Sequence, residues 1–370
     1  MEFMMEEIKS GRSAGIDMTK ATAVLFVLCV HFSLNTKYYK TPIADANMFV
    51  QSCFRWLFFV GVPLFIICTG FLNYKKTISR SYYLKIFRVL IPYALISILC
   101  LLKNQPDSFQ SALFSIFNFT ADSYSWYVNM YIGLFLVAPF LNIIVSAMDR
   151  QKFRLLLGTL LFIIALPAAM NPLLQNIPKL SYLYFPNWWQ GIYPILYYFL
   201  GAYLAKFRLE IPKSICAAAI LLLVCLQTGL QMLLNRYQFN NWYLSDYSSL
   251  FVVAESLALF LLIYSIDVKN LLVKTAAKYI SMLSLEIYLF SKITDTYLYS
   301  YFSSRFYGPA HPMPQEMIFK RFFLIIVPLS FLSSLVLSLV FHVLYELGGK
   351  GLKSLMQKVG RRKAAPTKTP

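Results

Sequence analysis

Charged residues are scarce in this chain of 370 residues: Asp, Glu, Lys and Arg together make up 14%, while apolar residues make up 58%. A soluble protein of this length needs far more polar surface, so the sequence excludes a soluble globule and points to a polytopic membrane protein. Acid is scarcer than base, with 16 residues against 34, which leaves a net charge of +18. That surplus does not read as a nucleic-acid footprint, because the basic residues fall in short clusters between long apolar runs. No C-x-x-C pair occurs among Cys29, Cys53, Cys68, Cys100, Cys216 and Cys225. Neither a zinc site nor a disulfide framework is indicated, and no metal is expected. A cleavable signal is also missing. Glu2, Glu6 and Glu7 precede the first apolar run and no small-residue cleavage site follows it, so the first helix is expected to remain as an anchor. No internal repeat is visible, which weakens an inverted-repeat transporter reading.

What is present is a series of apolar runs. Ten candidate spans fall at roughly 16–36, 49–73, 82–103, 124–146, 153–170, 189–206, 213–233, 247–266, 277–301 and 318–346. Basic residues mark alternate connections: Lys75, Lys76 and Arg80; Arg150, Lys152 and Arg154; Lys206, Arg208 and Lys213; Lys269 and Lys274. The tail adds Lys350, Lys353, Lys358, Arg361, Arg362 and Lys363. The opposite loops are poor in basic residues: 103–123 has only Lys103 at its edge and 171–188 only Lys179. The positive-inside rule then places both termini in the cytoplasm. The expected organisation is an all-α membrane protein: a cytoplasmic segment 1–14, a membrane domain 15–346 and a basic, disordered tail 347–370 held near anionic lipid.

The first span begins with Asp17 and Lys20, turns apolar for ten residues and ends on His31. Eleven residues of helix make three turns plus about 20°, so Lys20 and His31 share a face about 16 Å apart along the axis. Asp17 lies about 40° off that stripe. An ionisable stripe in a greasy span usually faces a protein interior or a wet cavity. The other reading is an anchor, with Asp17 paired to Lys20, Lys20 reaching the headgroups and His31 bonded to a neighbouring helix. Of the three histidines, His31 alone combines depth with aligned charges. It is the best candidate for a general base.

Other ionisable groups enter the membrane. Lys85 and Arg88 share a helical face beside Lys75, Lys76 and Arg80, forming a basic cluster suited to phosphates or simply to anchoring. Glu255, Glu286, Lys292 and Asp295 lie deep in later spans. Each fits an interhelical polar clamp, and Lys292 and Asp295, three apart, could neutralise each other. His342 and Glu346 form an i, i+4 pair near a membrane border, and His311 reads as solvated. The runs Tyr182–Trp189 and Tyr237–Tyr243 are rich in aromatics. They suit an interfacial belt or a stacking surface for a sugar.

Several runs resemble the acyltransferase-3 family of integral membrane acyltransferases. They are the first helix, Val62–Leu72, Arg88 to Pro92-Tyr93, Trp126–Phe135 continuing to Pro139–Asn142, Tyr198–Leu204 and Ser284–Leu289. They follow the family's order over about 15–345. The family pattern on the first helix is Arg, ten residues, then His; here Lys20 takes the first position and His31 the second. A lysine is a point charge and cannot make an arginine's bidentate contacts. On the third span the family has two arginines three apart; here the first is Lys85 and the second Arg88. Glu286 has no counterpart in the family motif. The resemblance implies transfer of an acyl group, commonly acetyl, from cytoplasmic acetyl-CoA to an extracytoplasmic or lipid-linked glycan. His31 would be the base or acyl carrier, with Lys20 or a neighbouring donor orienting the acyl donor or steadying charge, Asp17 fixing Lys20, and Lys76, Arg80, Lys85 and Arg88 holding the donor phosphates. The expected setting is a bacterial plasma membrane, with membrane lipids and a glycan or lipid-linked sugar as partners. The residues alone also fit a secondary transporter with Glu255, Glu286 and Asp295 as proton-coupling groups.

Overall fold

The computed structural model describes residues 13–104, 108–175, 177–234 and 246–363. The expected N-terminal segment up to residue 12, the aromatic run 237–243 and the end of the tail lie outside the described residues. The architecture is helical, with no strand among the described residues. The main helices are α1 (Ala14–Asn35), α2 (Ala46–Phe59), α3 (Gly61–Asn73), α4 (Phe87–Asn104), α5 (Phe109–Phe117), α6 (Trp126–Ala147) and α7 (Arg150–Gln175). They continue with α8 (Tyr193–Phe207), α9 (Lys213–Leu234), α10 (Leu250–Tyr264), α11 (Leu271–Met282), α12 (Ser284–Phe302) and α13 (Gln315–Lys363).

Every expected span falls on helix, but seven stretches of the described residues are long and apolar enough to cross a membrane. They contain α1, α2 with α3, α4 with its lead-in, α6, α7, α9 and α13. The shortfall has a physical cause. Helices α8 and α10 have 15 residues each, a rise of about 22 Å against a hydrocarbon core of about 30 Å. Ten of the 15 residues of α8 are buried and none is exposed, so neighbouring helices shield it from lipid. Helix α12 is longer, at 19 residues, but carries Glu286, Lys292 and Asp295. Two expected single spans are broken. The one at 49–73 divides at Val60, because Pro63 supplies no N–H to the preceding turn. The one at 277–301 divides at Leu283, where the Ser284 hydroxyl bonds to the Ser281 carbonyl. At the far end α13 runs on to Lys363, so helix continues where a disordered tail was expected. The Lys, Leu, Met and Gln residues of that stretch are good helix formers and carry the helix through Gly351.

Helix α1 is the centre of the bundle. It packs against α2, α3, α10, α11, α12 and α13. Its Ile16, Val24, Leu28 and Phe32 are buried. Helices α3 and α8 are pressed together through two glycines drawn from two of the family-like runs. A Cβ at Gly70 would collide with the Tyr198 carbonyl, and one at Gly201 with the Ile67 carbonyl. Asn142 ties α6 to this pair: its amide donates to the carbonyls of Asn73 and Lys76 at 2.7 Å each and accepts from the Tyr198 hydroxyl at 2.8 Å. The outer faces are apolar, as on Leu222 and Leu324, which are 67% and 78% exposed. Such surface suits acyl chains and not water.

Candidate active site

His31 occupies the last turns of α1, 5% exposed. Its Nδ1 lies 3.2 Å from Asp295 Oδ2 and 3.5 Å from the Ser291 hydroxyl, both on α12. A carboxylate can only accept, so Nδ1 carries a proton, and in the neutral ring the lone pair lies on Nε2. Asp295 is itself fixed by two further donors: the Tyr124 hydroxyl at 3.0 Å on Oδ2 and the Ser330 hydroxyl of α13 at 2.6 Å on Oδ1. Asn35, one turn beyond His31, donates to the His31 carbonyl at 2.8 Å and to the Tyr124 hydroxyl at 3.0 Å. The Tyr124 ring stacks on the imidazole with centroids 3.8 Å apart. Its turn is set by Asp122, which accepts from the backbone N–H groups of Tyr124 and Ser125. Helix α12 and the turn at Tyr124 thus hold the ring directly, and α13 acts on it through Asp295.

Sequence reasoning singled out His31 and Asp295 but not their pairing. It offered Lys292 as a group that could neutralise Asp295. Instead Lys292 reaches the Ser123 hydroxyl at 3.0 Å and lies 4.9 Å from the Tyr124 ring centre. Residues three apart share only part of a helix face, and here Asp295 points inward while Lys292 points to the Tyr124 turn. Asn35 and Tyr124 gave no signal of their own, since polar residues at helix ends are common.

Two cavities share lining residues beside His31. One, of 310 Å³, is lined by His31, Arg55 and a wall of aromatics that includes Phe59, Trp126 and Tyr247. The other, of 140 Å³, is lined by Lys20, Thr69, Val89, Tyr127, Tyr131 and Ser284, among others. Val27, Val62 and Tyr288 line both. Tyr288 is held there by the hydrogen bond its hydroxyl donates to the Tyr124 carbonyl. The stripe expected on α1 therefore borders two adjoining spaces, Lys20 in one and His31 in the other. Asp17 is buried one turn before Lys20.

The basic cluster is divided. Lys76, Arg80, Lys85 and Arg88 are all exposed. Val89, next to Arg88, lines the Lys20 cavity. Lys75 and Lys76 line a separate space of 760 Å³ with Lys206, which Arg80, Lys85 and Arg88 do not line. Lys206 caps the C-terminal end of α6, donating to the carbonyls of Val145 and Met148 at 2.6 Å each.

The remaining polar groups behave as clamps. Glu255 on α10 accepts from Gln227 on α9 at 2.8 Å. His342 and Glu346 pair at 3.5 Å and His311 is exposed. The six cysteines are unpaired thiols. Among the described residues no cluster of three His, Cys, Asp or Glu side chains could hold a metal ion.

No curated protein and no solved structure matched the chain. The acyltransferase-3 profile, described as an acyltransferase domain, matches residues 13–346, a stretch that holds His31, Asp295 and both cavities. The chain belongs to the acyltransferase-3 family of membrane acyltransferases.

Proposed function

We propose that the protein is a membrane O-acyltransferase that moves an acetyl group from cytoplasmic acetyl-CoA to a hydroxyl of a cell-surface or lipid-linked glycan. In this reading the chain crosses a bacterial plasma membrane ten times with both ends in the cytoplasm, the arrangement favoured by its basic connections. The observation that carries the proposal is the imidazole held at Nδ1 by Asp295 while its ring lines a cavity. That is the arrangement a base needs: one nitrogen oriented and the other left for substrate.

The donor enters from the Lys20 side. Its phosphates engage Lys76, Arg80, Lys85 and Arg88, and its thioester arm passes Val89 into the Lys20 cavity. The acceptor occupies the His31 cavity. Nε2 removes the proton from the acceptor hydroxyl, and the oxygen attacks the thioester carbonyl between Val27, Val62 and Tyr288. Lys20 steadies the negative charge that develops, with Asp17 fixing Lys20 in place. The tetrahedral intermediate collapses with loss of the coenzyme thiolate, which takes the proton back from the imidazolium. Asp295 stabilises that imidazolium while it lasts.

The test is transfer of labelled acetyl from acetyl-CoA in proteoliposomes. His31→Ala is expected to insert and fold normally and to lose transfer down to background. Transfer at the unsubstituted rate in that variant would remove the base.

A further inference from the structure

The polar groups of the Lys20 cavity are unequally engaged, which bears on its assignment to the acyl donor, the reading on which this inference rests. The Thr69 hydroxyl donates to the Phe65 carbonyl at 2.8 Å and the Ser284 hydroxyl to the Ser281 carbonyl at 3.1 Å. The Tyr288 hydroxyl donates to the Tyr124 carbonyl. All three are spent on backbone acceptors. Tyr127 and Tyr131, one turn apart on α6, also line the cavity. Among the described residues neither of their hydroxyls makes a hydrogen bond. A phenol inside a helical bundle without an acceptor is costly, and a ligand oxygen would satisfy it.

Tyr127 is the better placed of the two. Trp126, its neighbour in the chain, lines the His31 cavity, so the first turn of α6 reaches both spaces. The Tyr127 ring meets Tyr288, which also lines both, edge-on with centroids 5.7 Å apart. Phe65 packs on it from α3 at 6.0 Å. These contacts hold the ring, and none of them uses the hydroxyl. The other residues shared by the two cavities, Val27 and Val62, have no side-chain donor. Lys20 stands about 16 Å from His31 along α1, more than their two side chains laid end to end can span. It therefore acts on a charge formed beside His31 mainly through its field. We propose that the Tyr127 hydroxyl is the hydrogen-bond donor that meets the oxyanion of the transfer. As the acceptor oxygen bonds to the thioester carbon, the carbonyl π pair moves onto its own oxygen. Tyr127 donates a hydrogen bond to that oxygen and keeps its proton. When the C–S bond breaks, the pair returns and sulfur leaves as thiolate with the electrons of that bond.

The test uses full-length protein in nanodiscs and acetyl-CoA labelled with carbon-13 at the thioester carbonyl. His31→Ala protein holds the donor without transfer. The infrared band of its bound carbonyl is expected at lower frequency than in the His31→Ala, Tyr127→Phe double variant, because a donated hydrogen bond weakens the C=O bond. Phenylalanine keeps the ring, so a purely structural role would leave the band in place. In membranes that carry the native acceptor, Tyr127→Phe alone is expected to lower kcat about 10²-fold or more. Donor KM is expected to stay within about two-fold. Tyr131→Phe makes the same deletion one turn further from Trp126 and is expected to cost less. Coincident bands in the two His31→Ala proteins would overturn the inference. So would turnover of Tyr127→Phe within about three-fold of the unsubstituted protein, or a larger loss in Tyr131→Phe. Failure here is separable from failure of the acyltransfer reading. Bound donor with an unshifted carbonyl removes only the role of Tyr127, whereas acetyl-CoA that does not bind removes the donor reading and this inference with it.

Discussion

Two buried polar regions sit side by side in this bundle and are built on opposite plans. Around Asp295 both carboxylate oxygens accept hydrogen bonds, from His31, Tyr124 and Ser330. Between α2, α9 and α10 the groups are only half paired. Gln231 accepts from the Trp56 indole and Gln227 donates to Glu255. Yet both side-chain polar atoms of Gln51, Oε1 of Gln227, Nε2 of Gln231, the Ser249 hydroxyl and Oε1 of Glu255 are buried without a hydrogen-bond partner among the described residues. Complete pairing in a low-dielectric interior fixes one geometry, which is what a base and its orienting carboxylate require. Incomplete pairing leaves hydrogen-bonding capacity beside the cavity and costs stability, about 1–3 kcal/mol for each unsatisfied group. The first region is built for position. The second lies behind the cavity wall, since Arg55, which lines the cavity, is on the helix that carries Gln51 and Trp56.

The comparison breaks most readily at Asp295. Asp295→Asn keeps the size of the side chain but can donate to Nδ1, which turns the imidazole to the tautomer with its lone pair on the wrong nitrogen. The expected result is a fall in turnover of about 10²- to 10⁴-fold with donor KM unchanged. If turnover drops less than two-fold in proteoliposomes, Asp295 is a clamp like Glu255 and the contrast between the two regions disappears.

Tyr124 tests the same region one bond further out. Tyr124→Phe retains the ring stacked on His31 and removes the hydroxyl between Asn35 and Asp295. A loss of about 1–2 kcal/mol in transition-state stabilisation is expected, roughly ten-fold in kcat. No change in kcat would show that Ser330 and His31 alone suffice to hold the carboxylate.

What the sequence disclosed follows the same division. Long apolar runs and alternating basic connections made the helices legible, because lipid imposes length and hydropathy directly on sequence. The Lys20–His31 stripe was legible because it lies on one helix, where spacing is geometry. The pairing of His31 with Asp295 was not, since it joins residues 264 positions apart and depends on how α1 meets α12. Arg55 was passed over as one more basic residue in an apolar run. Its place beside His31 arises from the packing of α2 against α1, which hydropathy does not encode. The short helices α8 and α10 read as spans from hydropathy because burial by neighbours and burial by lipid select the same residues.

The gentlest test lies in the half-paired region. Gln227→Leu removes the amide that donates to Glu255 and leaves a buried carboxyl group with no compensating donor. The expected cost is about 1–3 kcal/mol of stability, read as a lower melting temperature, with turnover per folded molecule unchanged. Glu255→Leu combined with Gln227→Leu replaces the whole pair by apolar groups and is expected to restore most of that loss, because two matched hydrocarbon side chains leave nothing unsatisfied. A double variant as unstable as the single one would mean that Glu255 serves a neighbour other than Gln227. A double variant that is stable but inactive would move this region from support into function, and the line between the two polar regions would have to be redrawn around Arg55.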